Sequence, residues 1–574
     1  MKRISIALAR TALWLVAFAA ATPAFAATDN QQDTPALTAK EKDEALRYPF
    51  AIETPAQRES RMAWWNEAKF GLFVHWGIYA ASGDSEWHMR NQKKSFADYS
   101  RLATTFNPVK FDADQWMAVA QDAGMKYLVI TAKHHDGFAM FDSKASDYNI
   151  VKATPFKRDP LKDLSVAAPK HGIKFGVYYS FLADWGHPGG QAGAPHWDPA
   201  HQDGDIDEYI NKIAVPQVKE LLENYGPIGE FWFDNDGSKG MTTARANRYF
   251  DLFKVQPQIV INPRLVQGDF ETQEQRITPL RPLGPWEACL TLNGNWGYRT
   301  VTAKPTPVLI QKMVDVWGKG GNVLMNIGPK PDGELPADSV ERLRDIGAWM
   351  RINGESIYGS TEGPFAYVPW GRATRKGTTV YLHVFHWPAD GVLSVPLTTP
   401  VKRAYLLAAR DQALATSVKD DRLLIQLPAT APDASDSVIA VELTAVPPRQ
   451  ESLALNKPVT TDSGAETVAL AVDNNPATQW RLAKGATSAN LTVDLQRPQA
   501  ITALRVGHPQ YSNITAFTLE YLDGETWKTV FADVNMAPDE YVKTFPAVTA
   551  QHVRLRFTEA SGDLKVGSFE LFGP

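Results

Sequence analysis

The sequence predicts a multidomain protein in which a (β/α)8-like, TIM-type barrel is followed by two β-sandwich domains. The chain has 574 residues, more than a single hydrophobic core usually organises. From about residue 69 to residue 354, short apolar runs alternate with amphipathic helical runs. Beyond residue 354 the helical pattern stops, and short strand-like runs separated by turn residues continue towards the C-terminus.

Seven apolar runs predict the strands of the barrel. Most are apolar on both faces, which is typical of parallel strands that helices cover on the outside. Helical runs between several of them supply the crossovers, and this number of units favours a barrel over an open sheet. The runs are KFGLFVHW (69–76), YLVITAKHH (127–135), IKFGVYYS (173–180), GEFWFDND (229–236), QIVINPR (258–264), WEACLTLN (286–293) and GNVLMNIGP (321–329).

Changes of pattern set the predicted domain limits. The N-terminus has basic residues, an apolar run and a small-residue cleavage site at Ala24-Phe25-Ala26, which together indicate a secretory signal peptide. A Pro-Pro-Arg-Gln linker that starts at Pro447 separates the two sandwiches. The predicted limits are 1–26 for the signal peptide, 27–355 for the barrel, 356–447 for the first sandwich and 450–574 for the second.

Composition excludes several classes of function. A net charge of −5 and the lack of a basic tract argue against a nucleic-acid partner. After the signal peptide, no stretch is apolar enough to span a membrane. The single cysteine, Cys289, rules out an internal disulfide and reads as a small buried hydrophobe. We therefore expect an exported, periplasmic protein, whose oligomeric state the sequence leaves open.

Polar and titratable residues end the predicted strands. In a parallel barrel the carboxyl ends of the strands line the catalytic mouth, so these residues should share one rim. A rim of this kind is suited to a metal site, a pair of catalytic carboxylates or a sugar-binding pocket. The residues are His75-Trp76, His134-His135, Tyr178-Tyr179, Trp232 to Asp234, and Arg264.

A divalent metal is the first alternative, with His75, His134, His135 and Asp234 as the available ligands. Successive side chains on a strand point to opposite faces, so the two adjacent histidines should diverge unless the strand curls at its end. Neither H-x-H nor HExxH occurs in the sequence. These observations disfavour a catalytic metal.

Paired carboxylates are the second alternative. Asp234 ends a strand, where a rigidly held nucleophile is expected, although it also suits a strand-to-turn position. Downstream, the segment GDFETQEQRI (268–277) reads as a loop and offers Glu271 and Glu274, and the next strand starts near Glu287. The residues alone do not select the proton donor among these three glutamates.

The barrel region resembles the family 29 glycoside hydrolases, the retaining α-L-fucosidases. The resemblance covers roughly residues 61–358 and rests on several motifs in the order that the family has them. They are WWNEAKFGLFVHWG (64–77), EW (86–87), KHHDGF (133–138), FGVYYS (175–180), W-x-D (232–234), WGY (296–298) and N-x-L-x-NIGP (322–329).

The resemblance implies a role for each matching residue. Asp234 corresponds to the nucleophile that forms a covalent fucosyl-enzyme, and no cofactor is needed for this chemistry. Glu274 corresponds to the acid/base, with Glu287 second and Glu271 third in preference. A tyrosine close to the nucleophile corresponds to Tyr178 or Tyr179, and Tyr179 is preferred. The residues that would contact the fucose are His75, Glu86, Trp87, His134, His135, Tyr179, Trp232, Arg264 and Trp296.

The last domain resembles the discoidin or coagulation-factor C-type β-sandwich. The matching segments include LALNKPVT (453–460), AVDNNPATQW (471–480) and VRLRF (553–557). This resemblance implies a structural calcium ion and either a glycan-binding role or a role in bracing the barrel, with bracing slightly favoured.

We therefore expect an exo-acting, retaining α-L-fucosidase that removes terminal fucose from a fucosylated glycan. A catalytically inactive fucose lectin and a metal-dependent barrel hydrolase are the alternatives. The fucosyl linkage that is cleaved stays open, because loops after the strands determine it.

Overall fold

The computed structural model describes residues 46–47, 52–190, 197–201, 204–234, 240–508, 513–537 and 539–574. The predicted signal peptide, 1–26, lies outside these residues and stays a prediction. Within the described ranges, none of the helices combines the length and the apolar character that a membrane crossing requires.

Eight parallel strands form the predicted barrel sheet in the order β5-β4-β3-β2-β1-β8-β7-β6. The sheet curls, but β5 and β6 at its two ends share no strand pairing. This confirms the predicted (β/α)8-like class. The strands are β1 Phe70–Val74, β2 Tyr127–Lys133, β3 Lys174–Ser180, β4 Glu230–Asp234, β5 Val260–Ile261, β6 Glu271–Glu274, β7 Trp286–Thr291 and β8 Asn322–Ile327.

One strand was not expected. The segment Glu271–Glu274 forms β6, although its sequence predicts a loop. Its sequence, ETQE, is polar, and its side chains are only partly buried, so the apolar pattern that marks the other strands is missing. As a result Glu274 is the last residue of a barrel strand.

Helices cover most of the outer surface of the sheet. Seven of the helices in the described ranges have eight or more residues, and short helical turns lie between several of them. The longer ones are α1 Pro55–Ala68, α2 Ala113–Asp122, α3 Pro160–Lys170, α4 Val215–Asn224, α5 Thr243–Phe250, α6 Thr306–Gly318 and α7 Ala337–Asn353. The shorter α-helices are His88–Asn91, Phe96–Tyr99, Leu102–Thr105, Ile150–Ala153 and Ile206–Tyr209, the last of which continues through a π-turn into α4.

The barrel has an inner and an outer apolar core. Phe73, Tyr178 and Trp232 belong to the inner cluster, where the rings of Tyr178 and Trp232 stack with centroids 5.5 Å apart. Tyr179 belongs to the outer cluster, beneath the helices. Both faces of the strands other than β6 are thus largely buried, as expected for a parallel sheet.

The middle region forms a sandwich of a five-stranded and a three-stranded antiparallel sheet around one apolar core. Nε1 of Trp349 on the barrel helix α7 donates to the Asp436 carbonyl of the middle region at 3.0 Å. Within the middle region, Nδ1 of His383 lies 2.7 Å from Oδ2 of the same Asp436. Its strands are β9 Thr361–Glu362, β10 Gly371–Lys376, β11 Thr379–Val384, β12 Val392–Val395, β13 Val401–Leu406, β14 Thr416–Lys419, β15 Arg422–Gln426 and β16 Ser437–Leu443.

The C-terminal region forms a second antiparallel sandwich with its own apolar core. Trp480 is fully buried in this core and stacks near Phe557, so it packs rather than offering a surface platform. The strands are β17 Val459–Thr461, β18 Trp480–Arg481, β19 Ala489–His508, β20 Asn513–Asp523, β21 Thr526–Val534, β22 Asp539–Ser561, β23 Lys565–Val566 and β24 Ser568–Phe572.

Candidate active site

The side chains that follow the barrel strands converge on one pocket at the carboxyl edge of the sheet. His75 follows β1, and its Nδ1 lies 2.7 Å from Oδ1 of Asn326 on β8. Its ring centroid is 5.8 Å from that of His134 and 5.1 Å from that of Trp296. Burial lowers the pKa of His75 to about 3, so the ring is neutral and offers one donor and one acceptor.

The two adjacent histidines lie together instead of diverging. The ring centroids of His134 and His135 are 4.3 Å apart. Strand β2 ends at Lys133, and its register against β3 shifts after Thr131. The alternation of a regular strand therefore does not reach the histidines, which lie together as allowed for a strand that curls at its end.

Each histidine has a different environment. His135 places Nδ1 2.6 Å from Oγ of Ser180 and Nε2 3.4 Å from Oδ2 of Asp234. The ring of His134 stacks on that of Tyr178, with centroids 5.6 Å apart. Nδ1 of His134 is buried and has no hydrogen-bond partner among the residues that the structure describes. A buried ring nitrogen of this kind is suited to a ligand hydroxyl.

Asp234 ends β4 and accepts a hydrogen bond from Tyr178, whose hydroxyl lies 2.5 Å from Oδ2. The neighbouring Tyr179 instead donates to Oε1 of Gln217 at 2.7 Å, on the outer side of the barrel. The preference for Tyr179 as the residue beside Asp234 is therefore wrong. Both faces of β3 are buried, so burial and hydrophobicity give no sign of which tyrosine faces the pocket.

Arg264 joins the two carboxylates of the pocket. Its guanidinium pairs with Glu274 at the end of β6, and its Cζ lies 5.6 Å from the ring centroid of Trp232. Burial favours the neutral form of Arg264, but the negative charges of Glu274 and Asp234 outweigh it and raise the pKa. Asp234 and Glu274 are thus both close enough to act on one cation.

Aromatic and acidic residues complete the wall of the pocket. Glu86 is buried and accepts a hydrogen bond from the backbone N–H of Gly297 at 2.8 Å, and burial raises its pKa. The ring of Trp87 contacts those of His135 and Trp185, with centroids 5.3 and 5.2 Å away. Trp185 was not anticipated, because nothing in its local sequence distinguishes it from a core tryptophan.

The two alternative glutamates lie away from the pocket. Glu287 is the second residue of β7, near the amino end of the sheet, and is fully buried. It accepts a hydrogen bond from the hydroxyl of Tyr127 at 2.6 Å. Glu271 starts β6 and is exposed. Neither side chain is at the carboxyl edge, whereas Glu274 is.

His134, His135 and Asp234 each offer one ligand atom, and these three atoms lie within 4.8 Å of one another. A metal alternative therefore has more geometric support than the sequence suggested. The same atoms also suit a sugar pocket, since imidazoles and a carboxylate can bind hydroxyl groups. The arrangement alone does not separate these two chemistries.

Comparison with known proteins decides between a metal site and a sugar pocket. A family model described as Alpha-L-fucosidase matches residues 36–355, which is more than half of the chain. The chain belongs to the alpha-L-fucosidase family. It is a glycoside hydrolase whose substrate is a fucosylated glycan, and catalysis in this family needs no cofactor. A second model, described as F5/8 type C domain, matches residues 456–570, so both resemblances are confirmed.

Individual fucosidases are similar over most of their length. Tissue alpha-L-fucosidase from Homo sapiens is 30% identical over 427 residues, which cover 67% of this chain and 89% of that protein. The crystal structure of the alpha-L-fucosidase from Vibrio sp. strain EJY3 is 26% identical, with a TM-score of 0.69, and covers 90% of this chain and 98% of that chain.

A second similar structure contains a reaction intermediate. This fucosidase from Bacteroides thetaiotaomicron, of glycoside hydrolase family 29, was trapped as a covalent intermediate with 2-fluoro-fucosyl fluoride. It is 27% identical to the present chain, with a TM-score of 0.61, and covers 70% of this chain and 98% of that chain.

Proposed function

We propose that this fucosidase removes terminal fucose by double displacement, with Asp234 as the nucleophile and Glu274 as the acid/base. The observation that carries the proposal is the placement of the two carboxylates. Asp234 and Glu274 each end a barrel strand, at the same edge, and both act on Arg264. A retaining glycosidase needs two carboxyl groups about 5–5.5 Å apart on either side of the scissile bond.

In the first step Asp234 attacks the anomeric carbon of the fucose. The bond to the leaving oxygen breaks, and Glu274 transfers its proton to that oxygen. The hydrogen bond from Tyr178 and the nearby Nε2 of His135 keep the attacking carboxylate in place. The products of this step are the free aglycone and a fucosyl ester of Asp234. The covalent intermediate trapped in the Bacteroides thetaiotaomicron relative supports a covalent route of this kind.

In the second step Glu274 acts as a base. It takes a proton from a water molecule, which attacks the anomeric carbon and displaces Asp234. Two inversions leave the configuration of the sugar unchanged. The guanidinium of Arg264 pairs with the carboxylate of Glu274.

The neutral histidines and the aromatic walls account for recognition of the sugar. His75 and His134 have lowered pKa values because both are buried, and neutral rings can both donate to and accept from sugar hydroxyls. Trp232 and Trp296, which lie beside Phe73, offer flat apolar surfaces to the ring and methyl group of fucose.

An aryl α-L-fucoside assay tests the nucleophile. We expect Asp234→Ala to reduce kcat by about 10³-fold or more, because no covalent intermediate forms. Azide should restore turnover in this variant and give the fucosyl azide of inverted configuration. Full activity in Asp234→Ala would overturn the assignment, and no turnover by the unaltered protein would favour the lectin alternative.

Substrates with different leaving groups test the acid/base. We expect Glu274→Ala to lose about 10²–10⁴-fold on a poor leaving group and much less on dinitrophenyl fucoside, which needs no proton. Glu271→Ala, on the same strand, is the matched control and should leave both rates unchanged. The same leaving-group pattern in Glu271→Ala, but not in Glu274→Ala, would reassign the role.

Export and calcium binding are also proposed. The basic, apolar and small-residue pattern of residues 1–26 supports export to the periplasm. N-terminal sequencing of the protein from a periplasmic fraction should find a start at Ala27, and a chain retained in the cytoplasm with Met1 intact would overturn export.

The family of the C-terminal domain supports a structural calcium ion. Chelation should then lower the unfolding temperature of that domain and leave catalysis unchanged, and an unchanged unfolding temperature would overturn it.

A further inference from the structure

The strand that carries Glu274 has less support from paired strands and covering helices than the other barrel strands have. β6 is the last strand of the sheet order, so among the described strands it pairs only with β7. The connections on either side of it, 262–270 and 275–285, contain no α-helix. An outer helix usually packs against each strand of such a barrel. Other contacts of this segment with the barrel are made by side chains, including Arg264 with Glu274, Gln275 with Thr291 and Lys319 with the carbonyl of Thr278.

The C-terminal sandwich also contacts this segment, at the 275–285 connection. Gly507 on β19 lies so close to Pro279 that a Cβ atom on the glycine would be 2.6 Å from Cγ of the proline. Nearby, Nη1 of Arg276 lies 3.7 Å from Oδ1 of Asp539. Gly507 and Asp539 are neighbours on the paired strands β19 and β22. One patch of the sandwich thus packs on the 275–285 connection.

Hydrogen bonds join the docked connection to the strand that carries Glu274. Thr278, next to Pro279, receives a hydrogen bond from Nε2 of Gln273 at 3.0 Å and donates its backbone N–H to Oε1 of Gln273 at 3.1 Å. Gln273 directly precedes Glu274. A shift of Pro279 therefore reaches the acid/base strand through two side-chain contacts.

The sandwich itself is held firmly against the rest of the molecule. Arg505 forms a two-pronged pair with Glu570, at 2.6 and 2.7 Å, and also donates to the carbonyl of Ala366 in the middle region at 2.9 Å. Arg372 of the middle sandwich pairs with Asp315 of the barrel helix α6 at 2.5 Å. The patch that meets the connection is thus part of a fixed support.

We propose that the C-terminal sandwich is a positioning part of the active site. Gly507 and Asp539 hold the 275–285 connection, and the connection holds Glu274 where its proton reaches the leaving oxygen. This inference rests on the proposed role of Glu274. It assigns the sandwich a role in the reaction of the barrel, in addition to any binding of glycan.

Loss of this support should affect only the steps that need proton transfer. We expect Gly507→Val, which pushes Pro279 outwards, to lower kcat/KM about 10–100-fold for substrates with poor leaving groups, since a displacement of about 1 Å has an effect of this size. With dinitrophenyl fucoside the loss should stay below about threefold, because that leaving group departs unprotonated.

Gly567→Ala is the matched control for the glycine. Gly567 lies beside Gly507 and donates its N–H to the carbonyl of Gly507 at 2.8 Å. A Cβ atom on Gly567 would have its nearest neighbouring atom at 3.7 Å. A milder variant, Asp539→Ala, removes the contact with Arg276 without adding bulk. The exchange of both charges in Arg276→Asp with Asp539→Arg should recover the rate that either single change loses.

The outcomes separate this inference from the function on which it rests. If Glu274→Ala shows no dependence on the leaving group, the acid/base assignment fails. Suppose that Glu274→Ala shows that dependence. The positioning role is then overturned if Gly507→Val and Asp539→Ala lower kcat/KM equally for all substrates, or leave it unchanged for all of them. If the unfolding temperature shows that Gly507→Val does not fold, the positioning role is tested with Asp539→Ala and the charge exchange alone.

Discussion

At the scale of single residues, two adjacent tyrosines of the site have different environments. Tyr178 donates its hydroxyl to Asp234 inside the barrel, and Tyr179 donates to Gln217 beneath the helices. Both are fully buried, and burial raises the pKa of each. The two hydroxyls thus stay protonated, and only one of them contacts a group that we assign to the reaction.

This difference gives a paired prediction. We expect Tyr178→Phe to lower kcat by about 10-fold or more, because Asp234 loses a donor that orients it. Tyr179→Phe should leave kcat within about twofold and lower stability by about 1 kcal/mol, the usual contribution of one hydrogen bond. Steady-state kinetics and thermal unfolding of both variants measure these effects, and equal kinetic losses would contradict the prediction.

At the level of the element, strand β7 carries an acid that takes no part in our mechanism. Glu287 and Glu230 lie together in the barrel interior, near the amino ends of β7 and β4, and both are buried. Burial raises the pKa of Glu287 from 4.5 to about 7, and that of Glu230 well above its usual value. Folding therefore favours the protonated form of both groups.

The sign of the resulting pH dependence follows from the raised pKa of Glu287. Its contribution to stability is fully present below about pH 4.5 and is lost as the pH rises through about 7. Each pKa unit corresponds to about 1.4 kcal/mol. We expect Glu287→Gln to show a smaller loss of stability between pH 4.5 and 8 than the unaltered protein in denaturant titrations. Exposed Glu271→Gln should retain the original slope, and an unchanged slope in Glu287→Gln would contradict the prediction.

The elements also show what the sequence can and cannot reveal. Seven of the eight barrel strands have an apolar pattern, and their ends place His75, Asp234 and Arg264 correctly at one edge. β6 was missed because ETQE has no apolar face. The pairing of His134 with His135 depends on a register shift after Thr131, and such irregularities leave no trace in residue spacing.

On the scale of the whole molecule, ion pairs and hydrogen bonds of Arg372 and Arg505 connect three folding units. The side chains of Arg505 and Glu570 are each only 7% exposed, and the pair lies where the C-terminal sandwich meets the middle region. Removal of one partner leaves the other charge buried and unpaired, which is strongly destabilising. The intact pair nevertheless adds little net stability.

We expect Glu570→Ala to destabilise the protein by about 3–5 kcal/mol, measured by denaturant unfolding. The exposed pair of Lys528 with Asp523 in the same domain provides the control, and Asp523→Ala should change stability by less than about 1 kcal/mol. Equal effects of the two substitutions would show that the buried pair does not secure the interface.

The lack of strand pairing between β5 and β6 affects how the specificity of this enzyme can evolve. Side chains and a single backbone contact, from the N–H of Asp269 to the carbonyl of Ile261 at 2.7 Å, close the barrel at that seam. Insertions there break no strand pairing among the described residues, so the fold can accept them where the buried contacts of Asp269 with Arg61 and Ile261 are kept. The seam borders the acid/base, where the aglycone leaves, and new linkage preferences can therefore evolve there while the fucose pocket stays unaltered.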